Sequence, residues 1–369
     1  MASVSLRNLW KKYGKVEAVK GINLDVEDKE FVAFLGPSGC GKTSTMRMIA
    51  GLEHISGGEI YIGGRLVNHL GPEERNIAMA FESYALYPPM TVFDNIAFPL
   101  KAAKVPEGEI KKRVYRIAEI LELTDVLNKH PKGLSGGHQQ RVSLARALVR
   151  DADVYLLDEP ISHLDTKMRN RMRAELKRIH QELKSTVIYV THDQIEALAM
   201  ADKVVVMNEG LIKQIGTPQE VYFKPRNIFV ADFVGEPPMN FLDCAILLKS
   251  DHCQVVIDNL YFQIFDPEKL AVLKGLPPSK LNTLVLGIRP CHIDILSEPS
   301  TLGRGEVKGK VFLVEPLGDS KIVHVRMNEQ LVLVETLATV RQREGDDIFI
   351  RFQEEHLHLF DKESEEAIF

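Results

Sequence analysis

Residues 31–53, FVAFLGPSGCGKTSTMRMIAGLE, set the tightest constraint on what this chain can fold into. An apolar run of strand length, residues 31–35, leads directly into a glycine-rich turn and then a helix. Within the turn, Gly36, Gly41, Lys42 and Thr43 satisfy G-x-x-x-x-G-K-[ST], the phosphate-binding loop. Its glycines let successive backbone N–H groups converge on phosphate oxygens, and the helix that starts near Lys42 aims its positive end at the same point. Lys42 adds a point charge for the terminal phosphates, and the Thr43 hydroxyl is placed to ligate Mg²⁺. Pro37, Ser38, Gly39, Cys40 and Ser44 complete the predicted binding loop.

Other stations on the chain fit the same nucleotide. The apolar strand at 154–157 ends in Asp158-Glu159, at the carboxyl edge where an open α/β sheet keeps its ligands. Adjacent strand residues face opposite ways, so Asp158 is read on the Mg²⁺ shell and Glu159 towards a water. His192 follows the strand at 186–190 and can reach a γ-phosphate from the same edge. Tyr13, at a turn before the phosphate loop, reads as an aromatic platform for adenine or as packing.

Residues 133–150, GLSGGHQQRVSLARALVR, repeat the phosphate-loop device, with Ser135, Gly136 and Gly137 leading straight into a helix. One nucleotide does not need two such anion sites in one chain. The second is therefore read as serving a nucleotide on a neighbouring chain, which predicts a head-to-tail dimer. The stretch after residue 83 carries Tyr84, Tyr87, Phe93 and Phe98, more aromatic surface than a connecting loop requires, and reads as a docking surface.

At 369 residues the chain exceeds what one core usually organises, so two domains are expected. Beyond residues 235–238, GEPP, helical periodicity stops. Short strand candidates at 255–257, 284–288, 311–314, 322–325, 331–334 and 348–352 predict an all-β domain of OB type over 236–369, with the nucleotide domain over 1–235. The net charge of −5, with no basic stripe interleaved with aromatics, predicts no nucleic-acid partner. No apolar run nears the roughly 20 residues of a bilayer span, and MASVSLRNLWKKYG lacks a signal peptide's apolar core, so the chain is expected to stay where it is made. Cys40, Cys244, Cys253 and Cys291 lack metal-site spacing and are expected as free thiols in a reducing cytosol.

On these motifs the chain resembles the ATP-binding subunit of an ABC transporter, and over nearly its whole length it is similar to the subunits that drive bacterial carbohydrate importers of the maltose and glycerol-phosphate type. GPSGCGKTS matches Walker A, LSGGH the signature, VYLLDEP Walker B, SHLD at 162–165 the D-loop, and His192 the switch histidine. PPMNFLD, LGIRP and VEPLGDS in the last third match the family's regulatory region. The resemblance implies an ABC-type P-loop NTPase domain with an antiparallel β subdomain and a helical subdomain, followed by the regulatory β domain. It implies a peripheral protein on the cytoplasmic face of the inner membrane. It also implies that two subunits, identical or homologous, clamp two Mg·ATP, each nucleotide held by the phosphate loop of one and by Ser135, Gly136, Gly137 and His138 of the other. Glu159 would polarise water, His192 would hold the γ-phosphate, and Asp165 would communicate across the interface. Residues 84–98 would dock membrane-spanning permease subunits, which a solute-binding protein supplies.

Two positions depart from the family pattern: Glu82 and His138 each stand where a glutamine is expected. A bare carboxylate near phosphate repels it, whereas a metal between the two turns the same charge into an attraction. Glu82 is therefore predicted to ligate Mg²⁺ in the closed state. The departures keep a second reading open, a binding-only subunit paired with a competent homologue. A third is a soluble ABC ATPase without transport partners.

Overall fold

The computed structural model describes residues 2–257, 260–296, 298 and 306–369. The chain forms two compact units, Met1–Pro218 and Gln219–Phe369.

In the first unit a six-stranded sheet runs in the order Leu211–Gly216, Lys203–Asn208, Phe31–Leu35, Thr186–Thr191, Val154–Asp158, Ile77–Ala80. All neighbours pair in parallel except Leu211–Gly216, which returns as a hairpin. Every residue of Phe31–Leu35 and Val154–Asp158 is buried, which is why these strands read as unbroken apolar runs rather than alternations. Parallel pairing lines up the carboxyl ends of Phe31–Leu35, Val154–Asp158 and Thr186–Thr191, so Gly36, Glu159 and His192 emerge at one edge.

A separate antiparallel sheet, ordered Val16–Val26, Val4–Tyr13, Gly57–Ile62, Arg65–Leu66, shares one core with the phosphate-loop helix and the parallel sheet through Leu6, Leu9, Leu24, Ile49, Ile60 and Ile188. Each such fully buried side chain stabilises by about 1.5–3 kcal/mol relative to exposure. The helical portion comprises Val92–Ala102, Glu107–Ile120 and Gly136–Leu148, the first packed on both others. Ile110, Val114 and Ile117 form the buried stripe of Glu107–Ile120. Among the described residues no helix is long and apolar enough to cross a membrane.

The second unit contains two five-stranded antiparallel sheets built around one apolar core. It also holds the helix Pro267–Lys274, which the sequence reading of an all-β tail passed over. Its start signal is local: Asp266 accepts from Glu268 N and Lys269 N, with Pro267 at the first helical position. The compact units divide at Pro218, earlier than the change of sequence character at Gly235. Buried Arg289 donates to Tyr222 O and Val234 O, both at 2.6 Å. Ile228 N donates to Glu365 O and Ala367 N to Arg226 O, so the segment before Gly235 packs with the β domain after it.

Candidate nucleotide site

The phosphate loop is shaped by glycines that nothing else can replace. A Cβ on Gly36 would lie 2.2 Å from Met207 O, and Gly41 adopts φ +107° with a would-be Cβ 2.5 Å from Ala18 O. The helix Lys42–Ala50 starts with no side-chain cap, so its first N–H groups are the natural partners of an anion. Lys42 Nζ donates to Gly36 O at 2.7 Å and Pro37 O at 2.9 Å, bringing the charge over the loop. Cys40 is buried beneath it as packing, and all four cysteines are free thiols.

A cavity of about 610 Å³ brings Ser38, Lys42, Thr43, Glu82, Glu159 and His192 together. Thr43 Oγ1 donates to Asp158 Oδ1 at 3.1 Å. Burial pushes the Asp158 carboxyl up to about 6; the Thr43 hydrogen bond opposes this, and the charges of Glu82 and Glu159 add to it. Glu159 sits just past its strand at φ +45°, its N–H donating to Val190 O at 3.0 Å. Its Oε1 is 3.0 Å from His192 Nδ1, which must carry the proton to donate to a carboxylate.

Among the described residues no three His, Cys, Asp or Glu side chains converge tightly enough to hold a metal unaided. Mg²⁺ does not ask for that: it takes one or two protein oxygens and completes its shell from phosphate and water. The Thr43 hydroxyl and the Asp158 carboxylate fit that need.

The raised Asp158 pKa has a consequence for stability. Ionisation is penalised in the folded state, so the contribution of this group is fully favourable below about pH 4 and is lost as pH rises through about 6. Roughly two pKa units correspond to about 3 kcal/mol. Asp158→Asn keeps an acceptor for Thr43 without the charge. It is expected to raise the melting temperature in EDTA at pH 7.5 by about 5 °C and to leave it unchanged at pH 4; equal melting temperatures at pH 7.5 would refute the cost.

Ser135, Gly136, Gly137, His138 and Asp165 do not line this cavity. Ser135 caps the helix Gly136–Leu148, accepting from His138 N, and its Oγ is 2.7 Å from His138 Nδ1. Burial, with Arg141 nearby, lowers the His138 pKa and favours the neutral ring. Asp165 caps Thr166–Leu183 through Met168 N. A Cβ on Gly137 would lie 3.1 Å from Leu164 Cδ2, so the glycine lets the two loops touch. Tyr13 is also outside the cavity, 44 % exposed, with Lys11 Nζ 4.6 Å from its ring centroid.

Two residues near the site escaped the sequence reading. Gln140, 2 % exposed, donates to Glu159 O at 2.8 Å and Ser162 Oγ at 3.2 Å and accepts from His163 N at 3.0 Å. Arg169 donates to Ser162 O at 2.9 Å and to Asp193 at 3.3 Å, tying the loop after Glu159 to the one carrying His192. For Gln140 the available signal was a polar residue at a buried position of a helix, which periodicity alone does not interpret.

The sequence matches the ABC transporter family over residues 19–162 and the TOBE domain over 286–360. The trehalose/maltose import ATP-binding protein MalK of Thermococcus litoralis is 48 % identical over the full length of both chains. The oligosaccharides import ATP-binding protein MsmX of Bacillus subtilis is 45 % identical over the full length of both. The sn-glycerol-3-phosphate import ATP-binding protein UgpC of Cupriavidus metallidurans is 44 % identical over all of this chain and 99 % of its own. Among solved structures, the dimeric ATP-binding cassette MJ0796 bound to ADP and Pi superposes with a TM-score of 0.55 at 31 % identity, covering 58 % of this chain and 98 % of that one.

Proposed function

This chain belongs to the ABC transporter family, and we propose that it is the ATP-hydrolysing subunit that energises import of a carbohydrate, polyol or glycerol-like solute. The observation that carries this is the joining at one sheet edge of the phosphate loop, Glu159 and His192, with Asp158 bonded to Thr43 beside them, in a chain whose full-length relatives are sugar and glycerol-phosphate import subunits.

In this reading the phosphate loop and Lys42 bind the nucleotide phosphates, and Tyr13 stacks on the base. Glu159 holds the attacking water and accepts its proton at a carboxylate oxygen, and His192 orients that carboxylate through Nδ1 and faces the γ-phosphate. Ser135, Gly136, Gly137 and His138 reach the nucleotide of a second subunit, a copy of this chain or a homologue, with Asp165 at the shared surface. Their position away from their own phosphate cavity supports that role. Thr43, Asp158 and Glu82 would hold Mg²⁺, which would supply charge neutralisation on the phosphates.

Permease subunits dock at residues 84–98, where Tyr87 and Phe98 are exposed with ring centroids 4.8 Å apart and planes tilted by 49°. In this reading the chain sits peripherally on the cytoplasmic face of the membrane and meets the solute-binding protein only through the permease. We assign ATP hydrolysis to residues 1–235 and regulation to 236–369. The compact units support Pro218 as the place to cut a truncated form.

The test is ATPase activity of the permease-assembled transporter against Mg²⁺ concentration. The parent is expected to hydrolyse ATP, and Glu82→Gln to keep hydrolysis while needing severalfold more Mg²⁺ for half-maximal rate. An inactive parent rescued by Glu82→Gln would instead establish the binding-only reading. An unchanged Mg²⁺ requirement would remove Glu82 from the metal.

A further inference from the structure

The loop that follows Glu82 is held in a conformation its own residues disfavour. Tyr84 and Ala85, neither of them glycine, both lie in the left-handed region, with φ +61° and +46°. Two such residues in succession persist only where the surroundings impose them. Arg146 bridges the carbonyls of both. Its guanidinium donates to Ala85 O at 2.7 Å and to Tyr84 O at 3.1 Å, and it lies 5.3 Å from the Tyr87 ring centroid. A planar fork with fixed donors matches two successive carbonyls in a way a lysine ammonium does not.

Arg146 stands in the last turn of the helix Gly136–Leu148, whose first turn is capped by Ser135. Tyr84 also reaches the other end of that helix, where a Cβ on Gly136 would lie 3.5 Å from its hydroxyl, and its ring meets His163 edge-on at 5.7 Å. At about 1.5 Å per residue the 13-residue helix is a rod of about 20 Å. Beyond the left-handed pair, fully buried Asn95 pins the loop at Tyr87, donating to Tyr87 O and accepting from its N–H. Between these anchors the loop has little freedom of its own.

We propose that Arg146 is a positioning residue for coupling: it clamps the Tyr84–Ala85 turn to the Ser135 helix, so that movement of this helix against a nucleotide is delivered to the loop on which the permease docks. The functional half of this inference rests on the docking assignment above, whereas the clamp itself can be read in the dimer of full-length chains without the permease.

Backbone hydrogen exchange of the full-length chain, with and without MgATP, supplies the test. In the parent, MgATP is expected to slow exchange both in the phosphate loop and at residues 84–87. In Arg146→Met, and equally in Arg146→Lys, phosphate-loop protection should stay within about twofold of the parent, while amides 84–87 exchange about tenfold faster and no longer respond to MgATP. A retained MgATP response at 84–87 would overturn the clamp. So would an equal loss of protection in the phosphate loop, which would make Arg146 a general structural residue. Phe98→Arg tests the docking assignment separately: parental co-purification with the permease would sink that assignment and leave the clamp standing.

Discussion

Glu159→Gln is expected to lower the ATPase rate of the assembled transporter by about 10²–10⁴-fold while ATP affinity stays within about threefold of the parent. The size reflects the difference between the group that is lost and the geometry that is kept. Glutamine is nearly isosteric and still offers an oxygen to His192 Nδ1 at the position now 3.0 Å away, so the geometry survives. What disappears is a carboxylate able to take a proton from water, a barrier increase of about 3–5 kcal/mol. The main-chain supports of Glu159, from Gln140, Ser162 and Val190, do not involve its side chain and should persist. With hydrolysis blocked, ATP remains bound and the two subunits should accumulate as a stable dimer, readable by size-exclusion chromatography. Parental turnover in Glu159→Gln would remove this residue from the chemistry.

Much of this site was legible in the sequence because its parts are local. The phosphate loop is a contiguous signal whose glycines, lysine and threonine each have one physical task, and the structure places its loop residues with Glu159 and His192 around one cavity. Asp158-Glu159 and His192 were legible because each closes an apolar strand, and parallel strands put such endings at one edge. The helix Gly136–Leu148 announced itself by a serine cap before two glycines.

What stayed hidden was non-local. Gln140 reaches backbone groups of Glu159 and His163, 19 and 23 positions on, and Arg169 the carboxylate of Asp193, 24 positions on, and no spacing rule encodes such pairs. Arg146 could be read only once Tyr84 and Ala85 were seen in the left-handed region, which neither residue type advertises. In the second unit Asn240–Leu248 and His358–Asp361 are strands that composition did not separate from their surroundings. The early division at Pro218 depends on Arg289 reaching back across more than 50 residues.

The central claim is that each working site is built from two chains, the phosphate loop and Glu159 of one with Ser135 of the other, and mixed dimers of the full-length chain in the assembled transporter test it most directly. Ser135→Arg alone should abolish hydrolysis, because a bulky side chain replaces the capping hydroxyl at the anion-binding end of the helix. Glu159→Gln alone is inactive for the reason given above. When the two variants are mixed in equal amounts, half of the dimers contain one of each. Every mixed dimer then holds one intact site, formed by the wild-type Glu159 of the Ser135→Arg chain and the wild-type Ser135 of the Glu159→Gln chain. About a quarter of the parental activity should therefore return on mixing. Activity no higher than that of either variant alone would contradict the account, since it would mean that Ser135 and Glu159 serve the nucleotide of their own chain.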